Sequence, residues 1–322
     1  MSRQTGLALV LVLWVLSLLT IMAGSFALSM RREVSIIAGI TDNARALAVA
    51  QAGIAMAEMM LLNPEQNLRW RTDGSVYQID YTSTAQTMDS VRIQMQSEAG
   101  KINLNTADQS LLQALMSHAP VDAEQQTKIV NAIQDWRDED DLVRLDGAEK
   151  NEYQDAGLSY RPPNRPFQAI EELQMVLGMD EEIYKWIEPL ITIYSGQAKI
   201  NLQLAAKDVL LVMPDLDAVL VEEFITERLE TAKNDLPMPA FPLSTVQSTT
   251  DEQTVPVAIV AEALLDDGSS ARISAVIKPS DDDRVPFQIL KWQRNTASGA
   301  SLFGEEMNEL IVAQYAEPEF DN

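Results

Sequence analysis

Cysteine is absent from the 322 residues of this chain, and histidine occurs only once, at His118. Without cysteine the chain can form no disulfide, and it offers no thiolate for catalysis, zinc or an iron–sulfur cluster. A catalytic triad or metal centre that needs histidine would have to use His118. Its neighbours, Met116-Ser117 and Ala119-Pro120, show no such arrangement. We therefore expect His118 to be a surface loop residue and expect no catalysis that uses cysteine or histidine.

Basic residues are scarce. The 24 Lys and Arg are outnumbered by 48 Asp and Glu, which gives a net charge of −24. Nucleic acid is a poor partner for such a chain, because phosphate backbones are bound by clustered Lys and Arg. Cations, or basic patches on other proteins, fit this charge better. The hydrophobic fraction of 46% is that of a folded protein, and the length allows one large or two modest domains.

Charge is also missing from the 24 residues of Leu7–Met30, which are almost all apolar. About 20 apolar helical residues cross the hydrocarbon core of a bilayer, whereas the apolar part of a secretory signal is usually about 7–15 residues long. This segment therefore predicts a transmembrane helix. A cleaved signal peptide that ends near Ala27 and Ser29, or a buried soluble helix, would be the alternatives.

No proline occurs before Pro64, so the helix has no breaker at the end of the membrane span. A helix over Leu7–Leu62 would be about 84 Å long at 1.5 Å per residue. We expect its first half to lie in the bilayer and its amphipathic second half to pack on a sheet. Asn63 and Pro64 would end it.

Alternating apolar and polar residues predict strands on either side of a helical region. The expected strands are Ser75–Thr82 and Ser90–Gln96, then Val255–Leu265 and Ser270–Lys278 joined by an Asp266-Asp267-Gly268 turn, and Phe287–Trp292. A linker rich in Pro and Thr precedes the later strands. The tail from Ser298 is acidic, and we expect it to be surface or partly disordered.

Between Asn105 and Glu230 the sequence predicts short helices that contain a partial repeat. Gly100-Lys101-Ile102-Asn103-Leu104-Asn105 recurs as Ala198-Lys199-Ile200-Asn201-Leu202-Gln203, and each copy precedes two helical segments. A third, looser unit begins at Phe167. The repeat resembles helix-hairpin-helix units of DNA-binding proteins, but its hairpins lack the glycines that expose backbone N–H groups to phosphate. We therefore interpret it as a packing scaffold, with DNA binding as the alternative.

The segment Asp135–Asp155 holds nine acidic residues against three basic ones. Ca²⁺ binds about six to eight oxygens, mainly from carboxylates and backbone carbonyls. Six side chains could supply them: Asp138, Asp140, Asp141, Asp146, Glu149 and Glu152. Carboxylates this close repel one another unless a cation lies among them. The spacing is not that of an EF-hand. A solvated charged loop is the alternative, and a glycosidase pair of carboxylates is disfavoured because nothing else predicts a sugar cleft.

The first six residues, Met1-Ser2-Arg3-Gln4-Thr5-Gly6, form a short polar segment that ends in glycine before the apolar helix. This resembles a type IV prepilin leader. The resemblance implies cleavage by the prepilin peptidase between Gly6 and Leu7, methylation of the new N-terminus at Leu7, and a periplasmic location for the rest. The family usually has Phe at the first mature position and Glu at the fifth, where this chain has Leu7 and Leu11. A subunit with no neighbour ahead of it does not need that Glu.

The missing Glu, the repeat and the order helix, strands, helices, strands together resemble the minor pseudopilin K family of type II secretion systems. So does the segment Asp135-Trp136-Arg137-Asp138 followed by Gly147-Ala148-Glu149 and Tyr153. The resemblance implies bound calcium. It also implies a single-pass protein of the bacterial inner membrane, at the tip of a periplasmic pseudopilus that exports folded proteins. The implied partners are minor pseudopilins I, J and H, the major pseudopilin G and the prepilin peptidase, with secreted substrates as a further option.

The expected fold is α+β: a pilin-like long helix packed on an antiparallel sheet, with a large inserted α-helical domain. The expected boundaries are 1–6 for the leader, 7–30 for the transmembrane segment and 31–104 for the pilin-like helix and first strands. The inserted helical domain would span 105–230, and 231–322 would hold the linker, the returning strands and the tail. A membrane-tethered DNA-uptake protein, or a minor subunit of a type IV pilus, is the alternative function.

Overall fold

The computed structural model describes residues 5–65, 68–82, 88–214, 216–243, 255–280, 282, 284–294 and 300–316. Most of the predicted leader, part of the Pro- and Thr-rich linker and the end of the acidic tail lie outside these residues.

One helix, α1 (Thr5–Leu61), runs through both the apolar segment and the first part of the pilin-like region. It is long and apolar enough to cross a membrane, and the most apolar part of it is not buried by the rest of the chain. Farther along, Ala46, Ala50, Ile54 and Ala57 lie buried on one side of the helix. Their spacing of three and four residues places them on one face, and small side chains there let the helix approach the sheet closely. The predicted continuous helix is confirmed.

Six strands form the sheet against which α1 packs. They are β1 (Asp73–Thr82), β2 (Met88–Ser97), β5 (Val257–Leu264), β6 (Ser270–Pro279), β7 (Phe287–Arg294) and β8 (Ile311–Ala316). The order across the sheet is β7-β6-β5-β2-β1-β8. Inward-facing residues such as Ile93 and Ile259 form its core together with α1. All five predicted strands are present, and the Asp266-Asp267-Gly268 turn has Gly268 at φ 86°.

The prediction for the tail from Ser298 was wrong in part. Residues 300–316 pack on the sheet and end in β8, which pairs in parallel with β1. Buried Leu302 and the ring of Phe303 anchor this segment, because Arg92 donates to the Leu302 carbonyl and stacks on Phe303. The sheet is therefore mixed rather than fully antiparallel, since every other described pair is antiparallel.

The helical region is inserted between two strands that are neighbours in the sheet. It leaves at the end of β2 and returns at β5, and these two strands pair antiparallel along their length. Its helices are α2 (Gln109–Met116), α3 (Ala123–Arg137), α4 (Lys150–Asp155), α5 (Glu181–Ile187), α6 (Lys207–Leu211) and α7 (Ala218–Lys233). Two short parallel strands, β3 (Ile102–Asn103) and β4 (Ile191–Thr192), join its halves. It has a hydrophobic core of its own.

The repeat predicted at Asn103 and Asn201 is a repeated turn. The Asn103 side chain accepts from the backbone N–H of Asn105 at 2.9 Å, and the Asn201 side chain accepts from that of Gln203 at 3.1 Å. This side-chain turn directs each copy into the helical segment that follows. The copies differ in that Asn103 belongs to β3, whereas Asn201 lies in no strand.

Acidic side chains begin several of these helices. Asp108, Asp122, Asp180 and Asp217 each accept a hydrogen bond from a backbone N–H in the first turn of α2, α3, α5 and α7. Such caps satisfy N–H groups that have no partner within the helix. Part of the acidic excess is thus structural. His118 is exposed between α2 and α3, as predicted.

Buried charges fix the helical insertion to the sheet. Arg71, just before β1, donates to the carbonyl oxygens of Arg228 and Leu236. Arg228 on α7 donates to the Ala205 carbonyl at 2.7 Å, and its Nε lies 3.9 Å from a carboxylate oxygen of Asp73 on β1. Asp73 and Arg228 are 3% and 7% exposed, so these contacts are largely shielded from water.

Candidate functional site: the acidic loop

The acidic loop, residues 138–149, connects the end of α3 to the start of α4. Its backbone is held from two sides. Asn131 on α3 donates to the Leu145 carbonyl at 2.8 Å. On the other side, Asn164 donates to the Asp140 carbonyl and to the Asp141 carboxylate. The loop therefore has a defined path although residues 139–146 are exposed.

A guanidinium group lies among the carboxylates at the base of the loop. Arg144 donates to Asp135 at 3.0 Å and also forms an ion pair with Asp138. Its Nε donates to the Gln134 side chain at 2.8 Å. Carboxylates this close repel one another unless a cation lies among them, and Arg144 supplies one for Asp135 and Asp138.

Within the acidic loop, two carboxylate oxygens are buried without a hydrogen-bond partner, Asp138 Oδ1 and Glu149 Oε1. Burial raises the pKa of Glu149 to about 7, and the negative charges of Asp135, Asp138, Asp141 and Asp140 add to this rise. A buried carboxylate oxygen without a partner is costly, and at Glu149 it favours either a proton or a bound cation, whereas Asp138 already pairs with Arg144 through its other oxygen. The donor chemistry at Asp138 and Glu149 thus fits a hard cation such as Ca²⁺.

The structure does not gather all six predicted ligands in one place. Asp140 accepts from the N–H of Leu142, and Glu152 accepts from the N–H of Glu149 at 2.9 Å. Asp146 and Glu152 line an open cavity of about 500 Å³ that neither Asp138 nor Glu149 lines. Within the residues that the structure describes, no three acidic or histidine side chains already stand in metal-binding positions.

Asp135 and Gly147 shape the loop, although neither was predicted as a site residue. Asp135 is fully buried, and its Oδ2 accepts from the N–H of Ala148 at 2.9 Å. A Cβ on Gly147 would lie 2.0 Å from that same oxygen, so no larger residue fits there without moving the carboxylate. Both residues lie in the segment that carries the family resemblance. Their roles could not be predicted from the sequence, because the contact between the Asp135 carboxylate and Gly147 depends on how the loop folds back on α3.

The predicted processing site lies at the other end of the molecule. Gly6 and Leu7 belong to the first turn of α1. Cleavage between them and methylation of Leu7 stay predictions.

The family model for protein K of the type II secretion system matches residues 89–196, which contain most of β2, the acidic loop and α2 to α5. This part of the chain is therefore similar to a domain of protein K. The resemblance predicted from the sequence is confirmed.

Curated relatives extend the match beyond that domain. A type II secretion system protein K from Aeromonas hydrophila is 23% identical over 89% of this chain and 92% of its own length. The protein K of Pseudomonas aeruginosa is 24% identical over 70% of this chain and 72% of its own. That of Klebsiella pneumoniae is 24% identical, and this chain spans 62% of its length.

A solved structure supports the fold. A chain in the crystal structure of the GspK-GspI-GspJ complex from enterotoxigenic Escherichia coli has a TM-score of 0.51 and 17% sequence identity to this chain. The match covers 83% of this chain and 99% of that one. It confirms the α+β fold with a long N-terminal helix and a helical domain inserted into the sheet.

Proposed function

We propose that this chain is a non-enzymatic minor pseudopilin of a type II secretion system. It would assemble with minor pseudopilins I and J and lie at the tip of the pseudopilus, supporting export of folded proteins across the outer membrane. The observation that carries the proposal is a helical domain inserted between β2 and β5 of a sheet packed on a long apolar helix. The solved relative with this fold belongs to a complex of K, I and J.

Two features favour a place for this chain at the tip of the pseudopilus. Leu11 stands where the family usually has the Glu that pairs with the subunit ahead. The helical insertion adds a large body to the sheet, which would block further subunits from adding above. The implied contacts with pseudopilins H and G, the prepilin peptidase and secreted substrates belong to the same proposal, as does a location in the inner membrane with the C-terminal region in the periplasm.

The helix surface available to partners continues beyond the predicted membrane span. Val34, Ile36, Ile37 and Ile40 are 58–65% exposed, although they follow the charged residues that end the span. Exposed apolar side chains on a helix are the usual means of packing against another helix. We propose that this part of α1 contacts the helices of I and J.

Co-purification of the full chain with pseudopilins I and J from detergent tests the proposal. The native chain should bring down both partners. Ile37→Asp with Ile40→Asp should lose them, while Val219→Asp, which changes an equally exposed residue on α7, should not. The assembly model would be rejected if the native chain recovered neither partner. It would also be rejected if the native chain and the two variants recovered the partners equally.

Processing gives a prediction at Gly6. Replacing Gly6 with valine is expected to leave the precursor uncut, because the peptidase of this family cuts after glycine at the cytoplasmic face. The native protein should instead lose six residues and gain one methyl group. Intact mass of the membrane-extracted chain measures both, and Gly24→Val, a change within the apolar segment, serves as the control. A native mass that fits cleavage near Ser29 would contradict the prediction.

We also propose that Ca²⁺ binds the acidic loop at Asp138 and Glu149, with Asp140, Asp141, Asp146 or Glu152 as further candidates. The support is the pair of buried carboxylate oxygens that lack hydrogen-bond partners. A bound cation would neutralise charge there and so hold the loop together.

Removal of calcium should lower the melting temperature. A ligand that binds only the folded state stabilises it by about 2.7 kcal/mol at a hundredfold excess over Kd. We expect this gain in wild type, little of it in Asp138→Asn, and all of it in Asp155→Asn, an exposed acid outside the loop. Mg²⁺ should substitute poorly because it prefers a tighter octahedron. Unfolding curves with calcium and with chelator provide the measurement, and identical curves for metal-free and calcium-loaded wild type would defeat the proposal.

A further inference from the structure

The acidic loop presents three large apolar side chains to solvent at its outer end. Leu142, Val143 and Leu145 are 75%, 49% and 86% exposed. We call these three residues the apolar tip. Isolated exposed apolar residues are ordinary on protein surfaces, whereas clusters of them mark interaction sites. Outside α1, the other large apolar side chains that the structure shows exposed do not cluster in this way along the chain.

The backbone beneath the apolar tip is fixed by side chains that reach it from the folded domain. Arg144, between Val143 and Leu145, turns inward to Gln134 and buried Asp135. The N–H of Arg144 donates to Asp135, and that of Gly147 donates to the Arg144 carbonyl. Arg144 therefore holds the loop, while the three apolar side chains on either side of it stay exposed.

A fixed apolar surface favours binding, because less conformational freedom is lost when a partner arrives. Hydrophobic collapse alone would instead place Leu142 and Leu145 against the domain core. Inward Arg144 and the hydrogen bond from Asn131 to the Leu145 carbonyl keep them outside. The shape of this loop thus exposes apolar area that the fold itself does not use.

The surroundings of the apolar tip define the partner. Glu139, Asp140, Asp141 and Asp146 flank it and are exposed. An apolar centre with a charged rim is the usual anatomy of a protein interface. The acidic rim disfavours an anionic lipid surface, which repels carboxylates.

We propose that the apolar tip is a docking site for another protein, one that offers an apolar pocket bordered by Lys or Arg. The apolar side chains would supply most of the affinity, and the acidic rim would orient the partner and speed association. This contact uses the outer end of the helical insertion, so it is separate from the helix packing proposed for α1.

Photo-crosslinking from Val143 tests the proposal in cells that make the full chain. A benzophenone amino acid at Val143 should give a discrete adduct with a different protein, and the same probe at Val219, 62% exposed on α7, should not. Mass spectrometry should place the crosslink in a segment of the partner that carries apolar residues beside Lys or Arg. Adding Leu142→Asp and Leu145→Asp should lower the adduct yield at least tenfold, and Glu139→Lys should lower it about threefold.

Other outcomes would overturn the proposal. These are an adduct only with a second copy of this chain, an adduct with lipid, a crosslink to an acidic surface, or no adduct above that from Val219. An unchanged yield in the Leu142→Asp, Leu145→Asp variant would do so as well. Both leucines are exposed, so this variant should melt at the native temperature. A marked fall in its melting temperature would assign the leucines to folding instead.

Discussion

Replacing Arg228 with methionine is expected to lower the free energy of unfolding by about 3–5 kcal/mol. Arg228 donates to the carbonyl oxygens of Ala205 and Gln203 and lies 3.9 Å from Asp73. Methionine fills similar space but leaves Asp73 buried, with Arg71 at 3.7 Å as its remaining cation. Removing one member of a buried ion pair costs more than the pair contributes, because the other charge stays out of water.

Asp73 provides the matched test of that reasoning. Asp73→Asn in the Arg228→Met background removes the buried carboxylate that has lost one of its two cations, so we expect it to recover part of the lost stability. Lys185→Met, which breaks an exposed ion pair with Glu181, should leave the melting temperature unchanged. Denaturant unfolding of the full chain in detergent measures all four proteins. If Arg228→Met behaved like Lys185→Met, the contacts between α7 and β1 would not hold the insertion to the sheet.

The elements that the sequence predicted were those with a strong local pattern. A long apolar run without proline predicted α1, and alternation predicted β1, β2, β5, β6 and β7. The strand β8 was missed because its residues, Ile311–Ala316, sit within an acidic tail and form an edge strand. Its place depends on contacts distant in sequence, including the stacking of Trp70 on Tyr77 and Tyr315.

The acidic loop could likewise be predicted only in part from the sequence. Spacing alone identified a cluster of carboxylates, but it could not show that Arg144 turns inward to Asp135 and Asp138. Nor could it show that Glu152 bonds the N–H of Glu149 rather than joining the cluster. The packing of α3 against α4 decides which acids are exposed, which cap a helix and which are buried without a partner. That packing cannot be predicted from the local sequence.

Glu149 is expected to make stability depend on pH in calcium-free solution. Its pKa rises from 4.5 to about 7 on folding, because the carboxyl is buried and faces other carboxylates. Below pH 4.5 the group is protonated in both states, so it contributes no difference there. Between these two values the folded state binds more protons than the unfolded state. The free energy of unfolding therefore falls as pH rises, by up to about 3 kcal/mol, and stays low above pH 7.

Glu149→Gln should remove this fall, because glutamine keeps the size of the side chain and stays neutral at every pH. We expect the variant to match wild type near pH 4.5 and to exceed it by up to about 3 kcal/mol at pH 8. Calcium should reverse the order at pH 8, since it favours the ionised carboxylate and glutamine binds it weakly. Denaturant unfolding between pH 4 and 8, with and without chelator, provides the measurement, and Asp155→Asn is the matched control. Parallel pH profiles for wild type and Glu149→Gln in chelator would show that Glu149 is not held in a buried, charge-crowded site.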